Sequence, residues 1–381
     1  MSIYLDYAAT TPLDPEVFKA MEPYFVEKFS NPSSVYSLGR ENARAIEAAR
    51  TQIARILNSH PEEIIFTSGG TESCNMGVLG IALAQMRQGK NHILTTTIEH
   101  SSVKASAEYL ETLGFVVEFM PVDSGGILEP ETLQKFLRPD TALVSIIMVN
   151  NEVGTVQDIQ SLSQLCRQNK TLIHTDACQA AGYFELDTEL LGVNALSLNA
   201  GKIYGPKGAG LLFLKAGTPF EPRSFGGGQE FDLRPGTENA PAIIGFAKAL
   251  ETASRNRLTE ANRQSELRDY AINRILSEIP ETKLNGHPTR RSPNNINISI
   301  AGVEGESVLI RLDRHEIFVS TGSACSSRFI EPSHVLLALG LSKNDAHGSL
   351  RITLGKYTTT NEIDIFVETL KTVVSELRSI I

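Results

Sequence analysis

Six short runs between Glu63 and Lys215 limit what this chain can fold into: "EEIIFTS", "HILTTTIE", "FVVEFMPV", "TALVSIIMV", "TLIHTDA" and "GLLFLK". They are apolar, β-branched and without strict alternation, so each reads as a strand buried on both faces. Helical patterns such as "SSVKASAEYLETLG" and "SLSQLCRQN" separate several of them. Buried strands joined by helices make a mostly parallel sheet covered on both sides, which is an α/β domain.

The flanks are helical. Asp14 and Pro15 have the spacing of an N-cap and first turn, and "GRENARAIEAARTQIARIL" is amphipathic. From "APAIIGF" to "NRILSEI" the pattern is almost continuously helical and passes from apolar to charged, as expected of a helix linking two domains. The last third has strands near "NNINISI" and "EIFVSTG", a helix at "PSHVLLALG", and a closing helix that Thr359 and Glu362 introduce at capping-box spacing. A large domain over 15–255 is expected, with a smaller α+β domain made of 1–14 and 256–381.

The whole chain has 381 residues, enough for these two cores. Its 35 basic and 44 acidic residues give a net charge of −9, which argues against direct nucleic-acid binding. No apolar run approaches the ~20 residues of a membrane span, and "MSIYLDYAATTP" lacks a signal-peptide layout. Cys74, Cys166, Cys178 and Cys325 are widely spaced with no Cys-x-x-Cys, which suits a reducing, cytoplasmic setting. The histidines have no ligand spacing, so no metal site is expected.

Ligands of such sheets bind beyond the carboxyl ends of the strands, and polar groups collect there. "FTSGGTESCNMG" turns on Gly69 and Gly70 into a helix near Thr71, whose N–H groups suit an anion or simply begin a helix. "TIEH" delivers His100, "MVNNEVG" delivers Asn150, Asn151 and Glu152, and "HTDACQAAG" delivers Asp176 and Gln179. A buried strand-end acid needs a partner, either a protonated ring nitrogen or a structural cation. "SLNAGKIYGPKG" delivers Lys202, which taken alone is a turn lysine, a phosphate ligand or a Schiff-base amine. Cys325 lies among small residues in "GSACSS", within a loop at about 320–334 expected to be exposed and mobile, and so chemical rather than structural. Arg351 sits in the apolar strand "SLRITLG", where its fork suits an ion pair or a substrate carboxylate.

In this order "YLDYAATTP", "NPSS", "FTSGGTE", "EH", "VNNEVG", "TDACQ", "KIYGPKGAG", "GGGQE", "RPGTEN", "GSACSS" and "LRITLGKYTT" resemble the pyridoxal-phosphate-dependent cysteine desulfurases of the NifS/IscS type. The likeness runs nearly end to end. "GSACSS" is similar to the branch with a long cysteine loop.

The resemblance implies fold type I and conversion of L-cysteine to L-alanine. Lys202 would hold pyridoxal 5'-phosphate covalently, and Asp176 would keep its ring nitrogen protonated. It implies that His100 stacks on the ring, with Asn151 and Gln179 near the ring oxygen. Gly70, Thr71 and the positions of Asn199 and Gly201 would serve the phosphate, and Thr237 would reach the phosphate of a partner subunit in a homodimer. Arg351, with Asn31 and Asn151, would bind the substrate, and Cys325 would take its sulfur as a persulfide for an acceptor in iron–sulfur cluster assembly or thiolation. The chain departs from the family at Asn199 and Gly201, where Ser and His are usual, at Tyr36 in "NPSSVY", and at Phe231 after Glu230. Asn199 keeps an amide donor, and Gly201 is expected to offer only its backbone N–H. A related lyase or transaminase, or a low-activity sulfur-relay scaffold, are the alternatives. The loop thiol argues against the first, and the intact set of covalent-chemistry residues against the second.

Overall fold

The computed structural model describes residues 2–321 and 332–379. After a two-residue strand β1 (Ile3–Tyr4), the six apolar runs form β2 (Ile64–Thr67), β3 (His92–Thr96), β4 (Val116–Met120), β5 (Thr141–Ile147), β6 (Leu172–Asp176) and β8 (Gly210–Leu214), and the segment before Lys202 adds β7 (Ala195–Asn199). These seven make one sheet in the order β2-β8-β7-β6-β5-β3-β4. β3 to β7 pair in parallel, whereas β8 lies antiparallel between β7 and β2. The reason is length. A parallel return needs a helical crossover, and the connection 200–209 is too short for one. The β7–β8 turn therefore stands at the carboxyl end of β7 and carries Lys202 there.

β2, β3, β5 and β8 are buried along their whole length, as the absence of alternation predicts. Strand β4 is exposed at its start and occupies the sheet edge. The helix Gly70–Met86 packs against several of these strands. Gly210 must be glycine, because a Cβ there would stand 2.5 Å from the Gly69 carbonyl carbon. β2 and β8 can thus feed the turn that opens this helix.

The helix Ala240–Glu278 is 39 residues, about 58 Å long at 1.5 Å per residue. Its first half buries Ala240, Ile243, Phe246 and Leu250 in the core of the large sheet. Its second half buries Ala271, Ile272 and Ile275 in a separate core. That second core is built on β9 (Thr282–Leu284), β10 (Asn295–Ile300), β11 (Ile317–Phe318) and β12 (Ser349–Thr353). β12, β10 and β9 form an antiparallel sheet, and β11 pairs in parallel with β1. Ile3 and Leu5 join this core, so the amino terminus packs with the last third of the chain. The closing helix Thr360–Arg378 begins with both hydrogen bonds of the Thr359–Glu362 capping box. In "EIFVSTG" only Ile317–Phe318 is strand, followed by a single bridge from Ser320 to Arg351.

Candidate active site

Lys202 lies in a short 3-10 turn, Ala200–Lys202, and its Nζ donates to the carbonyl oxygens of Ala8 and Ala9 at 2.7 and 2.6 Å. The segment carrying these carbonyls is itself pinned. Thr11 donates its N–H and its hydroxyl to the Gly201 carbonyl, and its hydroxyl oxygen accepts the Tyr204 N–H. Lys207 Nζ donates to the Thr11 carbonyl at 2.7 Å, so the second lysine fastens the turn. Gln179 Nε2 donates to the same Ala8 carbonyl as Lys202, at 2.9 Å, which brings Gln179 and Lys202 to one point.

Asp176 ends β6, is 5% exposed, and accepts the Cys178 N–H at 3.0 Å. His100 follows β3 and caps the helix Ser101–Thr112, its Nδ1 accepting the Ser102 N–H at 3.1 Å. That acceptor role puts the proton of the neutral ring on Nε2. Burial pushes the His100 pKa down. The Asp176 charge opposes that shift, and the charges of Lys202 and Arg351 add to it. One imidazole therefore feels all three groups, from β6, the β7–β8 turn and β12.

At the start of the helix Gly70–Met86 no side chain among the described residues caps the first N–H groups. Gly70 is buried, and a Cβ on it would meet Cys178 Sγ at 2.6 Å and Asn199 Nδ2 at 3.5 Å. The Asn199 amide therefore faces the first turn of this helix, next to exposed Thr71. Gly201 differs from its expected part. Its N–H is not offered outward but donates to Asn199 Oδ1 at 3.0 Å. That bond holds the oxygen of the carboxamide, and a Cβ on Gly201 would meet nothing nearer than this same oxygen, at 3.4 Å.

Arg351 is buried on β12, with Nη2 on Asp6 Oδ1 at 2.8 Å and Nη1 on the Asn151 carbonyl at 3.2 Å. Its Nε is buried and has no partner among the described residues. The ion pair foreseen as one option for Arg351 is thus present, and the guanidinium still has an unused donor. Asn31 is exposed, and its side-chain oxygen accepts the Ser33 N–H of its own turn at 2.9 Å. No hydrogen bond joins it to Arg351. Thr237 is exposed on the rim of a hollow shared with Ser68, Gly210 and Arg234. Phe231 lies over the Arg50 guanidinium, 5.0 Å from ring centre to carbon, while Glu230 and Arg50 form a buried two-bond pair at 2.9 Å. Cys325 lies outside the described residues.

Sequence reasoning assigned no role in the site to several groups around it. His174, two residues before Asp176, bridges Ser145 and Ser197 hydroxyls across the sheet, and burial pushes its pKa down to about 4. Burial raises Glu99, beside His100, to about 8, and Glu152, beside Asn151, to about 7. The Cys178 thiol is pushed well up, first by its hydrogen bond with Cys74 and then by burial, so it stays protonated. For Glu99, Glu152 and Cys178 the advance signal was their place just beyond a strand end, whereas His174, central in β6, had none.

These groups fit pyridoxal phosphate at separate points. An uncapped helix start next to an amide donor suits a phosphate, a buried carboxylate suits a protonated ring nitrogen, and a lysine amine suits the reactive carbon. The Arg351 Nε, without a partner among the described residues, suits a substrate carboxylate. The family model described as aminotransferase class-V matches residues 3–366. A protein named cysteine desulfurase IscS from Dictyoglomus turgidum is 48% identical over 99% of this chain and 96% of its own. Cysteine desulfurase IscS 1 from Archaeoglobus fulgidus is 46% identical over 99% of this chain and 98% of its own. A solved structure titled NifS-like protein superposes with a TM-score of 0.93 at 36% identity, over 99% of this chain and all of that one.

Proposed function

The chain belongs to the aminotransferase class-V family and is a cysteine desulfurase within it, and on that premise we propose how its own residues divide the work. The observation that carries the proposal is the convergence on His100, whose ring feels Asp176, Lys202 and Arg351 together. Gly70, Thr71 and the Asn199 amide would hold the cofactor phosphate, with Gly201 acting through Asn199. Asp176 would hold the ring nitrogen, His100 the ring face, Asn151 and Gln179 the ring oxygen, and Lys202 the reactive carbon. When bound, pyridoxal phosphate supplies an electron sink that acidifies the substrate's Cα and weakens its C–S bond.

Arg351 takes the carboxylate of L-cysteine, using a fork already oriented by Asp6 and the Asn151 carbonyl. Lys202 Nζ takes the Cα proton. The Cys325 thiolate forms a bond to the substrate sulfur as the substrate's C–S bond breaks. The electron pair of that bond passes to carbon, which takes up a proton, and the remainder leaves as alanine. The persulfide sulfur then goes to an acceptor protein of iron–sulfur assembly or thiolation, in the cytoplasm. Two chains share their sites in this proposal, with exposed Thr237 turned to the partner's phosphate.

The test is Cys325→Ser, incubated with pyridoxal phosphate and cysteine. The variant should keep the absorbance of lysine-bound cofactor and form no protein persulfide. Sulfide release equal to wild type would contradict the role of Cys325.

A further inference from the structure

Ser333 and His334 open the helix His334–Ala338, and both side chains reach the strand ends of the large sheet. Buried Ser333 donates its hydroxyl to Glu152 Oε2 at 2.5 Å and accepts the Leu336 N–H at 3.3 Å. His334 Nε2 donates to the Glu99 carbonyl at 3.0 Å. Each glutamate adjoins a site residue, since Glu99 precedes His100 and Glu152 follows Asn151. Behind these bonds Val335, Leu336 and Leu339 share an apolar cluster with Ile98, Ile147 and Val153. The helix is therefore seated on the ends of β3 and β5, away from the core of β9–β12.

Glu152 is held at every polar group. Its N–H donates to Asn150 Oδ1 at 2.9 Å, and its carbonyl accepts the side-chain amides of Asn295 and Asn297 at 3.2 and 3.1 Å. Asn297 is the register partner of Arg351 across β10 and β12. One residue thus links the seat of the helix to the strand that carries the carboxylate-binding arginine. A buried carboxyl is costly without a hydrogen-bond partner, and the Ser333 hydroxyl is the one it has among the described residues. Loss of that hydroxyl strands the carboxyl, so the bond resists breaking more than a neutral surface bond does.

From these contacts we infer that Glu152 is a positioning residue for sulfur transfer. With Ser333 and His334 it fixes the chain shortly beyond Cys325 against the strand ends that carry His100 and Asn151, at a set distance from Arg351. Nothing in the reaction touches the Glu152 carboxyl. It acts only through where it holds Ser333.

The inference rests on the proposed function, and the experiment separates the two. Reconstituted enzyme is mixed with one equivalent of cysteine. The cofactor absorbance change reports substrate binding, and peptide mass spectrometry reports sulfur on Cys325 over time. Ser333→Ala and Glu152→Ala should slow sulfur arrival about tenfold, the worth of one buried hydrogen bond whose loss leaves its partner unsatisfied. The absorbance change and the KM for cysteine should stay as in wild type. Glu152→Gln keeps an acceptor oxygen and should recover most of the rate, as should Ser333→Thr. Unchanged sulfur arrival in Ser333→Ala and Glu152→Ala overturns the inference. So does a parallel fall in absorbance change and sulfur arrival, which marks general loosening. Wild-type enzyme that places no sulfur on Cys325 would instead overturn the functional reading itself.

Discussion

Two halves of the site are held in different ways. Lys202, Asp176, His100 and Asn199 stand at the ends of β7, β6 and β3, three almost wholly buried strands of one sheet. Their positions follow from apolar packing of the strands behind them. Arg351 and Ser333 arrive from the far end of the chain, and their side chains meet the rest of the site through a few polar contacts. Arg351 reaches Asn151 across 200 residues and Asp6 across 345, and Ser333 reaches Glu152 across 181. The sheet half is placed by the burial of adjoining strands, whereas the side chains of the seam half are tied to it by a few long-range hydrogen bonds. Changes in the first half should alter the cofactor and the chemistry. Changes in the second should alter substrate affinity or sulfur transfer while leaving the cofactor spectrum alone.

The largest effect expected is in the sheet half. Lys202→Ala should lose the absorbance of lysine-bound cofactor and slow alanine formation on the order of 10³-fold, the worth of a positioned proton carrier. Asp176→Asn, which keeps the shape and removes the charge, should cost about 10² in kcat with KM unchanged, measured by alanine release. Arg351→Lys probes the seam. It should raise the KM for cysteine about tenfold through loss of the fork, with the cofactor spectrum unaltered. A shifted spectrum in Arg351→Lys would erase the proposed division between the halves.

Smaller effects sharpen the sheet half. Asn199→Ala removes the amide facing Gly70 and should raise the dissociation constant of pyridoxal phosphate about fivefold, read by fluorescence titration of the apoenzyme. The buried carboxyls give a pH signature. Glu99 and Glu152 ionise near the ordinary carboxylate value of 4.5 when unfolded, but burial holds their protons to about 8 and about 7 in the folded state. Between those limits the folded chain binds more protons, so this stabilisation is full at low pH and is lost as pH rises through the window. Thermal midpoints of Glu99→Gln, compared with wild type between these pH values, should show a shallower decline.

The same contrast explains what the sequence could reveal. The strands of the large sheet, the 39-residue helix, the Thr359–Glu362 capping box and the polar strand ends all have local patterns, and each is found where the pattern puts it. The seam has no such pattern. Nothing near Ser333 points to Glu152, nothing near Asp6 points to Arg351, and a buried His174 joining two serines reads locally as one more strand residue. Gly201 shows the limit on a smaller scale. Its identity suggested a backbone donor for phosphate, but the preceding turn geometry turns that N–H onto Asn199, so the replacement acts through its neighbour. Asn31 similarly has its side-chain oxygen engaged by its own turn.

The central claim is that this chain moves sulfur from cysteine to Cys325, and single-turnover mass spectrometry tests it most directly. Enzyme loaded with pyridoxal phosphate and given one equivalent of L-cysteine should release one alanine per sulfur atom gained, with the added sulfur on the peptide containing Cys325. Alanine released without sulfur on that peptide, or sulfur found on Cys178 or Cys74 instead, would contradict the account.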